Sequence, residues 1–116
     1  IFVDAYNANP TSMKYALEYF AGLGQNNKIV IIGDMLELGE YAAAEHDAVI
    51  DWLEGQNDFA EIYLVGPLFG QVNNHFSHFP DTEGLKQHLQ NHSIENATIL
   101  LKASRGIGLD KLLDAL

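Results

Sequence analysis

The run Ile29-Val30-Ile31-Ile32 sets four β-branched residues side by side with no polar break, and it ends at Gly33-Asp34. A strand of this kind has no face to turn to water, so it belongs inside a sheet covered on both sides, as parallel strands flanked by helices are. The remaining segments supply the flanks. Ile1 to Val3 read as a short buried strand that leaves the sheet at Asp4, and Asn9 and Pro10 fit the N-cap and first position of a helix. Met13, Ala16, Leu17 and Phe20 then recur at helical spacing. A second helix, from about Tyr41 to Glu54, carries His46, Val49, Ile50 and Leu53 on one stripe. Glu61 to Val65 form a third strand closed by Gly66-Pro67, with a short helix around Leu68 to Val72. Phe76 to Phe79 suit a fourth strand ended by Pro80. Asp81 or Thr82 caps a helix with Leu85 and Leu89 inward, Ala97 to Leu101 make a fifth strand, and a last helix bears Leu109, Leu112, Leu113 and Leu116.

This alternation predicts an α/β fold, a Rossmann-like doubly wound sheet of five or six mostly parallel strands with helices on both faces. At 116 residues the chain is the size of one domain, and its 47% hydrophobic and 19% charged residues fit a packed globular fold. The formal net charge of −10 argues against a nucleic-acid partner, since phosphate backbones are held chiefly by clustered Lys and Arg. A nucleotide needs fewer cations, and Lys102 and Arg105 are the obvious pair to converge on one. With no cysteine there is no disulfide and no thiolate metal site. No apolar run approaches the roughly 20 residues that span a bilayer, and no leader pattern is visible, so a cytoplasmic protein is expected. The chain starts inside an apolar strand without an initiator Met, which reads as a domain excised from a longer polypeptide.

Polar residues gather where strands end. The first corner, Asp4-Ala5-Tyr6-Asn7-Ala8-Asn9-Pro10-Thr11-Ser12, collects an acid, a phenol, two amides and two hydroxyls beside a helix N-terminus, although strand-to-helix turns use the same residue types. In the second, Asp34 and Glu37 could hold magnesium or orient an amine; equally, Asp34 caps a turn and Glu37 faces water. In the third, Lys102 follows a very apolar strand and reads either as a substrate-binding cation or as the ion-pair partner of Asp4 or Asp34. No GxxxxGK[ST] loop occurs, and Gly106-Ile107-Gly108 lacks the third glycine of a dinucleotide fingerprint. His88 and His92, four apart on a helix, lack an evident third metal ligand. They and His75 and His78 are expected at the surface, while His46 on its apolar stripe suits a hydrogen-bonded packing residue.

Three segments in order, Asp4 to Met13, Gly33-Asp34-Met35-Leu36-Glu37-Leu38-Gly39 with His46 after it, and Leu101-Lys102-Ala103-Ser104-Arg105-Gly106, resemble the C-terminal domain of the Mur ligases of peptidoglycan synthesis. The likeness is to the branch that joins D-alanyl-D-alanine to UDP-N-acetylmuramoyl-tripeptide. The resemblance implies an ATP- and Mg2+-dependent amide ligase working through an acyl phosphate, with phosphate loop and magnesium ligands in a central domain that this chain lacks. It implies a monomer whose own central domain is its partner in cis, and a fragment inactive by itself. By the same resemblance Asp4, Tyr6, Asn7 and Asn9 bind ATP. Asp34, Met35, Leu36, Glu37, Leu38, Ser104 and Arg105 bind the dipeptide, and Lys102, Asn7 and Asn9 serve the reaction; no residue here is a metal ligand. Ala103 stands where the family is expected to carry glycine.

Two other classes use similar sheets. A phosphorylation receiver also has a lysine after its fifth strand, but it needs an aspartate at the end of the third, where this chain has Leu64-Val65-Gly66-Pro67. The second is a flavodoxin-like nucleotide-binding module without catalysis.

Overall fold

The computed structural model describes residues 1–5 and 7–116, so Tyr6 lies outside the described residues. Five strands, β1 (Phe2–Asp4), β2 (Lys28–Gly33), β3 (Phe59–Val65), β4 (Ser77–Phe79) and β5 (Thr98–Lys102), form one sheet in the order β1-β5-β2-β3-β4. Every pair is parallel. Among the described residues four α-helices connect or flank them: α1 (Pro10–Ala21), α2 (Ala42–Glu54), the short α3 (Pro67–Gly70) and α4 (Thr82–Asn91). The β-branched run sits at the centre as expected, with every residue of β2 buried.

Side-chain alternation along the central strands divides the core in two. Val30, Ile32, Leu64 and Leu100 pack against α1, α2 and α3 through Met13, Leu17, Phe20, Ile50, Leu53 and Phe69. Ile29, Ile31, Val65, Ile99 and Leu101 pack on the other face against Leu85 and Leu89 of α4 and Leu109 and Leu112 of the C-terminal segment. The chain therefore leaves β1 and β2 toward one face and leaves β5, which lies between them, toward the other. Such a reversal between neighbouring strands opens a crevice at their carboxyl ends, where open α/β sheets place ligands.

Three expectations are corrected. β1 is an edge strand, not a buried one: Phe2 and Val3 remain 41% and 45% exposed, because only β5 lies beside them. The segment Leu109–Ala115 winds as a 3-10 helix. Its Leu109 and Leu112, three apart, are buried as tighter winding requires, while Leu113 is exposed. Among the histidines, His75 and His92 are exposed, but His78 is partly buried with Nε2 2.6 Å from Gly66 O, and His88 is partly buried beside Tyr63 and Phe79.

The end of the sheet away from the crevice holds a buried cation that the sequence did not reveal. Lys28 is 3% exposed, and its Nζ donates to the carbonyls of Phe20, Ala21 and Leu23 at 3.2, 2.8 and 2.9 Å. It thus satisfies the C-terminal carbonyls of α1, which has no basic residue in its own last turn, and its charge suits the negative end of the helix. Replacing it by a methionine of similar length, Lys28→Met, should cost about 2 kcal/mol in a denaturant melt, the scale of hydrogen bonds to a charged donor. On the neighbouring strand, burial and then the charge of Glu61 push the Tyr63 phenol above its ordinary value of 10.0. The folded state then keeps this proton longer than the unfolded state, so its contribution is complete below about pH 10 and fades as pH rises through the folded value. Stability measured across that range should fall less steeply in Tyr63→Phe than in the unaltered chain.

Candidate functional site at the carboxyl edge

Parallel registration brings the strand ends together. Asp4 pairs with Lys102 across β1 and β5, Ile32 pairs with Lys102 across β2 and β5, and Gly33 pairs with Val65 across β2 and β3. The first corner runs into α1 through a capping box, in which Asn9 Oδ1 accepts from Ser12 N at 2.9 Å and Ser12 Oγ accepts from Asn9 N at 3.1 Å. The Asn9 amide therefore starts the helix, and Asn7 stays exposed beside it.

Lys102 is 2% exposed, and its Nζ donates to Asp4 Oδ2 at 2.5 Å and to the Asn7 carbonyl at 3.0 Å. Asp4, by contrast, keeps 49% of its side-chain surface. Of the two alternatives that the sequence left open, Asp4 rather than Asp34 is the partner, and the pair is lopsided, a buried cation held by a half-exposed anion. Arg105 is exposed, and no hydrogen bond or ion pair among the described residues engages its guanidinium. Lys102 and Arg105 are thus unlike in setting, one committed inward and one open to solvent.

Asp34 is fully buried. Its Oδ2 accepts from Leu68 N at 2.8 Å and its Oδ1 from Phe69 N at 2.9 Å, so the carboxylate caps the first turn of α3. That helix has Gly66 at its cap position and so no cap side chain of its own. Gly66 adopts φ +121°, and a Cβ there would stand 2.3 Å from the Asp34 carboxyl carbon, so the approach of the acid demands glycine. A strand followed by Gly-Pro, where a helix would otherwise lack a cap, was the sequence signal for a donated carboxylate. Of the readings the residues left open for Asp34, its oxygens take the capping one, bonded to backbone N–H groups of α3.

His46 is fully buried, as expected of a packing histidine, and its ring meets Phe69 edge-on. Met35 N donates to its Nε2 at 3.0 Å, so that nitrogen carries no proton, and Nδ1–H donates to Ala42 O at 2.7 Å. The Nε2 to Asp34 Oδ1 separation of 4.0 Å is therefore a neutral contact and not a salt bridge. Met35 is also fully buried, whereas Leu36 and Glu37 are exposed and Leu38 is intermediate.

Ser104 links three corners. Its N–H donates to Asp34 O at 3.1 Å, its Oγ accepts from Leu36 N at 2.8 Å, and its hydroxyl donates to Ala8 O at 3.3 Å. Ala103, fully buried, points its methyl to where position 33 has none: a Cβ on Gly33 would come within 2.8 Å of it. A methyl at 103 is therefore absorbed inside the fold. Among the described residues, no group of three or more His, Cys, Asp or Glu side chains is arranged to hold a metal ion.

The parallel sheet, with helices on both faces and polar residues gathered at the carboxyl ends of its strands, defines a doubly wound α/β domain. The chain belongs to the Mur ligase family: the family model described as Mur ligase, glutamate ligase domain, matches residues 1–105. Two relatives, both called UDP-N-acetylmuramoyl-tripeptide--D-alanyl-D-alanine ligase, are those of Rickettsia prowazekii, 36% identical over 98% of this chain, and Bacillus subtilis, 32% identical over 97%. The chain spans 26% of the length of each. Among solved structures, the MurF ligase of Thermotoga maritima in complex with ADP matches 97% of this chain and 26% of that one, at a TM-score of 0.76 and 23% identity. MurF from Acinetobacter baumannii matches 96% of this chain and 26% of that one, at 0.73 and 26%. The family assignment sets aside the receiver and flavodoxin-like readings.

The lopsided pair gives an order of costs. Lys102→Met releases an anion that water can take up, so about 1 kcal/mol should be lost. Asp4→Ala strands a buried ammonium with one carbonyl, and should cost on the order of 3 kcal/mol. Denaturant melts of the two variants should keep that order.

Proposed function

We propose that this chain acts as the C-terminal domain of a longer ATP-dependent ligase that joins D-alanyl-D-alanine to UDP-N-acetylmuramoyl-tripeptide, working as a cytoplasmic monomer. The observation that carries the reading is alignment over nearly the whole chain, at 36% identity, with a relative of that name, together with the family's motif residues meeting at one crevice. The similarly folded Thermotoga maritima ligase, of whose chain this domain matches 26%, is in complex with ADP, which fits an ATP-using enzyme.

The ends of β1 and β5 suit one wall of an ATP site. Asp4 can accept from ribose hydroxyls with its exposed surface while its other side holds Lys102, and Asn7 presents an exposed amide next to it. Lys102 acts on the site by neutralising Asp4 and anchoring the Asn7 carbonyl, which fixes the first corner. Arg105 is the open cation of the crevice and suits a substrate carboxylate. For Mg2+ the residues described here do not fit, because Asp34 has both oxygens on backbone N–H groups and no cluster of ligands exists among the described residues. The reading accordingly leaves the metal and the phosphoryl-transfer groups to another part of the longer protein. When ATP binds, it supplies the phosphoryl group that activates the tripeptide carboxylate; the task of this domain is to position the reactants, the main lever in such reactions.

The full-length protein that carries this domain should release phosphate from ATP only when both the nucleotide-linked tripeptide and D-alanyl-D-alanine are present, while the 116-residue chain should release none. Turnover by the chain alone would place the catalytic machinery within it and sink the division of labour proposed here. Lack of ligation by the full-length protein would sink the activity itself.

A further inference from the structure

Beside α4, toward the amino ends of β2 and β5, the surface holds a cleft of about 570 Å³. Tyr63 stands at its base: the residue is only 7% exposed, yet no hydrogen bond among the described residues engages its hydroxyl. No fully buried polar side-chain atom among the described residues lacks a partner, so that hydroxyl opens on the cleft. Glu61, two residues back on the same face of β3, is exposed and takes part in no hydrogen bond or ion pair among the described residues. Burial and then the charge of Glu61 keep the phenol protonated above its ordinary value, so a neutral hydroxyl and a bare carboxylate sit side by side. Glu95, on the loop before β5, adds a second exposed carboxylate to the lining. The wall is a stacked pair of imidazoles, His88 and His92, with ring centroids 4.3 Å apart and planes 11° from parallel. Nδ1 of His92 lies 3.1 Å from His88 O, and neither ring nitrogen of His88 has a partner among the described residues.

Two carboxylates face this cleft and, among the described residues, no lysine or arginine lines it, so its charge is matched to a cation. A metal ion does not suit it, because rings stacked in parallel do not converge on one ion and no group of three ligands is arranged there. An alkylammonium does suit it. Its N–H groups make charge-assisted hydrogen bonds to a carboxylate and a hydroxyl, and its methylenes lie on aromatic rings. We propose that this cleft binds a small alkyl diammonium, with Glu61 and the Tyr63 hydroxyl receiving one ammonium, Glu95 the other, and the His88–His92 stack the methylenes between them. The volume is that of a small-molecule site, which runs from about 300 to 1,000 Å³. None of these residues belongs to the three motifs, so the proposal stands independently of the ligase reading.

Titration calorimetry of the full-length protein with 1,4-diaminobutane tests this, in about 0.15 M salt so that diffuse attraction to an acidic surface is screened. Saturable binding with a Kd below about 1 mM is expected. Glu61→Gln should weaken it by roughly 10-fold or more and Tyr63→Phe by roughly 3-fold or more, the scale of hydrogen bonds to a charged group. Glu54→Gln, which removes the same charge from the exposed end of α2, should leave it unchanged. Nα-acetyl-lysine amide, which carries a single ammonium, should bind at least ~10-fold more weakly than the diamine. Absence of saturable binding, an undiminished affinity in Glu61→Gln, or an equal loss in Glu54→Gln overturns the site. Binding of acetyl-lysine amide as tight as that of the diamine overturns the diammonium and makes the cleft a seat for a protein-borne lysine.

Discussion

A carboxylate removed from water costs several kcal/mol unless its oxygens are met by donors, and Asp34 meets that condition with two backbone N–H groups of α3. The rest of the crevice is arranged around this solution. Asp34 N–H bonds to Val65 O and its carbonyl accepts from Ser104 N, so one residue joins the ends of β2, β3 and β5. Gly66 has no Cβ because the acid occupies that space. Met35 and Leu36 follow directly and inherit a fixed starting point, from which His46 and Ser104 complete the path of the loop.

The two buried lysines show how a strongly acidic chain uses its few cations. Lys28 lies at the amino end of β2 and collects carbonyls from the end of α1, while Lys102 lies at the carboxyl end of β5 and collects Asp4 and the carbonyl of Asn7. Each fastens the connection between β1 and β2, one at its exit from the sheet and one at its return. A helix that crosses over β5 to reach β2 is thereby tied at both ends by charge as well as by its apolar face.

Much of the fold was legible in the sequence because it depends on local pattern. The β-branched run of β2, the leucines of α4 and the Asn9-Pro10 start of α1 each state their own conformation, and the structure follows them to within a residue or two. The position of β1 was not legible, since burial of a short apolar strand depends on its place in the sheet order and not on its residues. The candidate site was legible as a set of corners but not as a set of contacts. Asp34, Ser104 and Asn9 are polar residues at strand ends, and sequence alone cannot tell a side chain that faces a ligand from one that satisfies a neighbouring backbone. Register decides this: only once Asp4 stands opposite Lys102, and α3 opens beside Asp34, do the polar atoms acquire partners. The 3-10 winding of the C-terminal segment was likewise hidden, because leucines at three- and four-residue spacing suit either helix.

The edge position of β1 has a consequence for cooperativity. The strand is three residues long and is bonded along one side only, with its hold on the sheet concentrated in its ladder to β5, the bond from Ala103 N to Asp4 O and the grip of Lys102. Releasing β1 would therefore leave both halves of the core intact, whereas releasing β2 would break them. A ligand that bridges β1 to the loops after β2 and β5 would add a second hold on this edge strand, so that its binding would be coupled to how firmly β1 sits on the sheet.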